Sequence, residues 1–268
     1  MYSVYRWLVA LTVVCACAAA GASTPPLRVC ADANNLPFSN TRAQGFENVL
    51  GRMIARDLHR DIQFVWLPRK EHAAERLLET CDLVTGMAGA SEHMTATIPY
   101  YRSTYVFVSR QDRHLALAGL TDPRLAHYRI GAQVIGDGGI VPPARELSER
   151  GLLRNLVGYV VQPLDANPEA KIITAVAQGD VDLAVAWGPA AGYFAEQSKV
   201  ALNLTPLCPP RGSSTPMAFD ISMGVRRGDD RLLAQVNHII ARRRGAIRVL
   251  LRSYNVPVLR AGEPAGCN

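Results

Sequence analysis

The sequence predicts an α/β fold in two lobes joined by two crossing strands. Three observations carry this expectation. Short apolar runs rich in β-branched residues alternate with segments of helical period, the pattern of strands covered by helices. Two of the strands border breaker-rich or polar stretches, as strands passing between lobes would. The chain has 268 residues, is 49% hydrophobic and 19% charged, and so has material for a sizeable core. That composition excludes intrinsic disorder, and the single long apolar run, at the N-terminus, excludes a polytopic membrane protein.

The N-terminal run reads as an export signal over residues 1–22. Arg6 supplies the positive start, Trp7 to Ala20 the apolar stretch, and Ala20-Gly21-Ala22 a small-residue cleavage site. No stable membrane insertion is expected after cleavage. The expected strands are Leu27–Ala31, Ile62–Leu67, Asp82–Met87, Thr104–Arg110, Arg129–Gln133, Gly158–Val161, Asp182–Trp187, Ala201–Leu204 and Phe219–Arg226. The first helix is expected over Gly45–Arg60, where Phe46, Val49, Leu50, Met53, Ile54 and Leu58 recur at three and four residues. Further helices are expected over Glu71–Thr80, Pro143–Arg150, Ala170–Gln178, Pro189–Gln197 and Arg231–Arg252. Alternation of this kind implies parallel sheets. Thr104–Arg110 leads into the polar Gln111–His114, and Phe219–Arg226 follows the Pro/Gly/Ser-rich Pro209–Pro216. Taken as the crossings, they divide the mature chain into a discontinuous first lobe, 23–108 plus 218–268, and a second lobe, 109–217.

Signal removal takes Cys15 and Cys17 and leaves Cys30, Cys81, Cys208 and Cys267. An even number in an exported chain reads as two disulfides, with three connectivities open. Cys30 ends one expected strand and Cys81 opens another, so a Cys30–Cys81 bridge is feasible if those strands are neighbours. Cys208 and Cys267 would then remain for each other. No CxxC occurs and no histidine stands at ligand spacing, so no metal is expected. HExxH, GxSxG and Ser/His/Asp clusters are also missing, which argues against an enzyme. The net charge of +6 gathers in Arg226-Arg227, Arg242-Arg243-Arg244, Arg248 and Arg252. Export disfavours nucleic acid as its reason. A solvated helix face or a landing surface for an acidic protein remain.

Five blocks carry a family resemblance. They are Leu27 through Asn40 (LRVCADANNLPFSN), Pro99 through Val108 (PYYRSTYVFV), Ile135-Gly136-Asp137-Gly138-Gly139 with Pro142-Pro143, Trp187-Gly188-Pro189 with Gly192-Tyr193-Phe194, and Met217 through Arg226 (MAFDISMGVR). With Gly45-Phe46-Glu47 and Gly179-Asp180-Val181-Asp182, they make the chain similar to the type II periplasmic solute-binding proteins of family 3. Within these it resembles the MoxJ/XoxJ-type proteins, binding-protein-like partners of periplasmic pyrroloquinoline-quinone (PQQ) alcohol dehydrogenases. Arg69-Lys70-Glu71-His72 and Met87-Ala88-Gly89-Ala90 depart from the group's usual residues.

The resemblance implies an interlobe cleft lined by loops at the strand C-terminal ends, where α/β sheets bind ligands. Asn34, Asn35 and Phe38 follow the first strand, though Asn also serves turns. Glu47 opens a helix, where the dipole alone favours a carboxylate. Met87, Gln133 and Asp137 follow later strands. Trp187, Tyr193, Tyr100 and Tyr101 offer aromatic surface. Amino-acid-binding relatives place an Asp near Trp187 for the ligand's ammonium, and an Arg after the Met87 strand for its carboxylate. Here the first is an indole, and no Arg occurs between Met87 and Pro99. A zwitterion would lose water without gaining paired charges.

The expectation is therefore a non-catalytic periplasmic accessory protein, monomeric when free and without a cofactor, that binds a PQQ methanol/alcohol dehydrogenase and assists its maturation or activation. The alternative is an ABC-importer receptor for an apolar or aromatic small molecule. One fold serves both.

Overall fold

The computed structural model describes residues 24–67, 80–89, 91–135, 139–160 and 167–260. The signal segment, the helix expected from Glu71 and Cys267 lie outside the described residues.

The first half of the fold is built on β1 (Leu27–Asp32), β4 (Ile62–Leu67) and β5 (Leu83–Met87), which run parallel in the order β5-β1-β4. A hairpin of β2 (Asn34–Asn35) and β3 (Ser39–Asn40) follows β1. Helix α1 (Phe46–Asp57) turns Phe46, Leu50 and Ile54 into the core, as its period requires. The second half is built on β8 (Ile130–Ile135), β10 (Leu156–Val160) and β11 (Leu183–Trp187), parallel in the order β10-β8-β11. It carries α2 (Pro142–Leu147), α3 (Ala170–Gln178) and α4 (Gly188–Glu196). α2 is shorter than expected, because residues 148–152 open into a wider turn.

Two long strands join the halves. β7 (Tyr101–Arg110) and β13 (Ala218–Arg226) pair antiparallel over Tyr101–Thr104 and Ala218–Ile221. Beyond that junction β7 pairs with β11 and with β12 (Leu202–Pro206), while β13 pairs with β5 and with β6 (Met94–Ala96). A short β9 (Gly139–Ile140) folds back on β8. The purely parallel sheets expected from the alternation are thus corrected to mixed ones: each crossing strand enters the other half against its neighbours. Tyr105–Val108, placed by sequence in the first lobe, pair with strands of the second half.

Helix α5 (Asp230–Ser253) returns to the first half and buries Leu232, Val236, Ile239, Ile240, Ile247 and Leu251. Asp229 caps it, its side chain accepting from the Leu232 N–H at 2.9 Å. The chain then runs back over the junction. The Pro257 carbonyl accepts from Ser103 Oγ at 2.6 Å, and the Leu259 N–H donates to the Arg102 carbonyl at 2.9 Å. This strap lies against α4 because Gly192 has no side chain: a Cβ there would meet the Asn255 carbonyl oxygen at 1.9 Å. At Gly188, one turn earlier, a Cβ would crowd the Thr104 carbonyl of β7 and, at 2.8 Å, Pro257 of the strap.

Cys30 and Cys81 form a disulfide, as the neighbouring strands β1 and β5 allow. Cys208 is also disulfide-bonded.

Candidate functional site

The C-terminal ends of β1, β5, β8 and β11 and the β7/β13 junction gather the polar and aromatic residues of interest. Three groups occur there.

The first is a carboxyl group sunk between β1, β5 and α1. Glu47, in the first turn of α1, accepts from Thr85 Oγ1 at 3.3 Å. Burial pushes its carboxyl up to about 7; the Thr85 hydrogen bond opposes this and the charge of Asp32 adds to it. The β5 backbone passes directly over the carboxyl, so that a Cβ on Gly86 would lie 2.0 Å from Glu47 Oε1. Tyr100 donates to the Thr85 carbonyl at 2.7 Å. Tyr100 and Tyr101 are both buried in the first core, and burial, then the nearby Glu47 charge, holds both phenols well above the ordinary value.

The second group is aromatic. Trp187, at the end of β11, lies edge-on to Tyr105 at 5.1 Å between ring centroids and to Phe219 at 5.9 Å; Tyr105 and Phe219 are 6.3 Å apart. Trp187 is only partly exposed and packs on the core of the first half. In the opposite sense, Leu36 at the tip of the β2–β3 hairpin packs on a core cluster of the second half. Tyr193 of α4 stacks on Tyr254 after α5 at 5.9 Å, and Tyr254 meets Phe46 at 5.8 Å. Phe38 packs on Phe46 at 5.4 Å.

The third group is an amide–carboxylate pair. Gln133 Nε2, on β8, donates to Glu169 Oε1 at 2.9 Å, just before α3. Glu169 reaches the aromatic group electrostatically: burial, and then its charge, pushes the Tyr105 phenol up to about 12.

Of the residues singled out from sequence, Phe38, Glu47, Tyr100 and Tyr101 belong to the first half, while Trp187, Tyr193 and Gln133 stand on the second. Asn34 and Asn35 form β2, and Asn35 Oδ1 is buried without a hydrogen-bond partner among the described residues. Met87 sits apart, packed on the cluster around Cys30 and Cys81. Asp137 lies outside the described residues. Sequence reasoning passed over Tyr105, Phe219, Glu169, Asp32 and Leu36. Tyr105 and Phe219 stood inside recognised strand blocks, but only the register of the crossing strands brings them to Trp187.

These groups offer aromatic surface at the junction of the halves and, within the first half, a buried carboxyl raised to about 7. Among the described residues no three His, Cys, Asp or Glu are grouped as a metal centre would need, and no helix is long and apolar enough to cross a membrane.

Comparison with known proteins places this geometry. The profile of the bacterial extracellular solute-binding proteins, family 3, matches residues 27–251. The protein MoxJ of Methylorubrum extorquens is 32% identical over 246 residues, covering 87% of this chain and 81% of that protein. MoxJ of Paracoccus denitrificans is 26% identical over 256 residues, covering 89% and 91%. The crystal structure of the periplasmic binding protein XoxJ from Methylobacterium extorquens AM1 superposes with a TM-score of 0.71 at 35% identity, covering 88% of this chain and 100% of that one. The fold is therefore that of a type II periplasmic binding protein, with two α/β lobes.

Proposed function

Because this chain belongs to the bacterial extracellular solute-binding proteins of family 3, and within them to the MoxJ-type proteins, we propose that it is a non-catalytic periplasmic accessory protein that binds a PQQ-dependent methanol or alcohol dehydrogenase and assists its maturation or activation. The observation that carries the reading is the Trp187–Tyr105–Phe219 cluster. By the family resemblance an amino-acid receptor carries a carboxylate near the end of this strand, where this chain has an indole, and no arginine between Met87 and Pro99 supplies the opposite clamp. A receptor evolved for zwitterions keeps both charges, since each otherwise loses water without compensation.

In this reading residues 1–22 direct export and are removed. The lobes divide where β7 and β13 pair, giving a first lobe of 23–104 plus 218–268 around a second of 105–217. Closure about that junction is the motion the fold provides. The strap that ties the end of α5 to α4 makes a third link across it.

The test is affinity capture from periplasmic extract with the mature, immobilised protein. Recovery of the dehydrogenase supports the reading. Failure to retain it in every PQQ and metal state, together with micromolar binding of a solute, overturns it in favour of an importer receptor.

A further inference from the structure

We infer that the outer face of the second half of α5 is the surface on which an acidic face of the dehydrogenase docks; this rests on the function proposed above. From Arg231 to Ser253 the helix holds six arginines and no carboxylate. Two of the six are engaged within the protein: Arg242 and Arg243 hold Asp57 at 2.8 and 2.6 Å. Arg244, Arg248 and Arg252 recur every four residues, so they line one side of the helix. All three are exposed, and none forms an ion pair among the described residues. Like charges at this spacing repel one another, a cost that no ion pair among the described residues recovers.

A second row runs beside the first. Ala241, Gly245 and Val249 are also four apart and exposed, and Val249, at 58%, is among the most exposed large apolar side chains. Among the described residues outside its own helical turn, nothing lies within 4 Å of a Cβ placed on Gly245. Internal packing therefore does not call for glycine there, although glycine weakens a helix interior more than any residue except proline. A low row lets a second backbone approach closely, and the arginine row beside it meets carboxylates in the bidentate geometry that guanidinium favours. An acidic helix or ridge fits both rows at once. An apolar occupant would leave three guanidinium groups buried and unpaired.

The experiment is a titration of purified holo-dehydrogenase onto the immobilised protein at low and high salt. It compares wild type with R244E/R248E/R252E, with G245Q, and with the reversal R145E/R154E on the second lobe as control. The inference expects the triple variant to bind at least about tenfold more weakly with a flattened salt dependence. G245Q is expected to bind several-fold more weakly while melting no lower than wild type, since glutamine is the better helix former. The control should bind as wild type does. If wild type binds and the triple variant binds equally well, the surface is wrong and the partnership stands. If the triple variant alone is impaired, charge acts only by steering and the contact at Gly245 is wrong. If wild type does not bind at either salt, the partnership fails and the surface fails with it.

Discussion

Trp187 meets Phe219 edge-on, with ring centroids 5.9 Å apart, where a strand of the second half reaches the crossing strands. The indole packs on the core of the first half, so this contact belongs to the seam between the halves. Edge-to-face pairs contribute about 0.5–1.5 kcal/mol beyond the area they bury. At Trp187 the two halves are therefore held by apolar contact.

The first consequence concerns ligands. None of the twenty amino acids is expected to bind at micromolar strength in calorimetry. Trp187→Asp alone should not restore binding, because the arginine that would hold the carboxylate is also missing from the segment between Met87 and Pro99. Trp187→Ala is expected to lower stability by about 2–4 kcal/mol in denaturant titration. A value near zero would mean that the ring does not bind the halves.

A second prediction follows from Glu47. Its carboxyl is raised from 4.5 to about 7 in the folded protein. Between those values the folded state holds the extra proton, so stability is full below about 4.5 and falls as pH rises through 7. Glu47→Gln keeps an acceptor for Thr85 and removes the titration. Thermal melts from pH 5 to 8 should decline for wild type and stay flatter for the variant, by at most about 3 kcal/mol. Parallel profiles would contradict the assignment.

Two other carboxylates act with the opposite sign. Hydrogen bonds from Arg243 and Arg242 hold Asp57 well below the usual range. Burial works to raise Asp82, but the hydrogen bonds and charge of Arg28 and the charge of Arg226 outweigh it and leave it lowered. Their contribution is present above the ordinary carboxylate value and is lost as pH falls below it. Arg243→Ala should therefore lower the melting temperature near neutral pH and bring it closer to wild type in acid. An unchanged gap at low pH would count against the ion pair.

The strap gives a fourth prediction. Gly192→Ala sets a methyl group against the Asn255 carbonyl and should cost about 1–3 kcal/mol. Hydrogen exchange should quicken at Leu259, whose N–H donates to the Arg102 carbonyl. Unchanged exchange there would show that the strap does not depend on the glycine.

The Cys30–Cys81 bridge closes 51 residues and links β1 to β5. Its replacement by C30A/C81A is expected to cost about 4 kcal/mol on chain-entropy grounds. Denaturant midpoints of wild type and C30A/C81A without reductant check this, and equal midpoints would contradict it.

Much of the fold was legible because it rests on local periodicity. The helix-period positions of 46–58 and the runs 62–67 and 170–178 fall where the structure has α1, β4 and α3. The mixed direction of the sheets was not legible, since strand direction depends on which segments become neighbours and not on side-chain alternation. The candidate site divides in the same way. Trp187 was visible as an indole in an unexpected place. Its partners Tyr105 and Phe219 lie more than 110 residues apart and meet only through the register of β7 and β13. The helix-dipole account of Glu47 was visible too, but the backbone at Gly86 that passes over its carboxyl belongs to another strand. Gly188 and Gly192 stood out as part of a family block, and only the approach of β7 and the strap gives them a physical reason.

The most direct measurement is a calorimetric titration of the mature protein with purified dehydrogenase, in its apo and PQQ-loaded forms. The account predicts saturable binding of at least one form. Silence with both forms, alongside tight binding of a small solute in the same instrument, would contradict it.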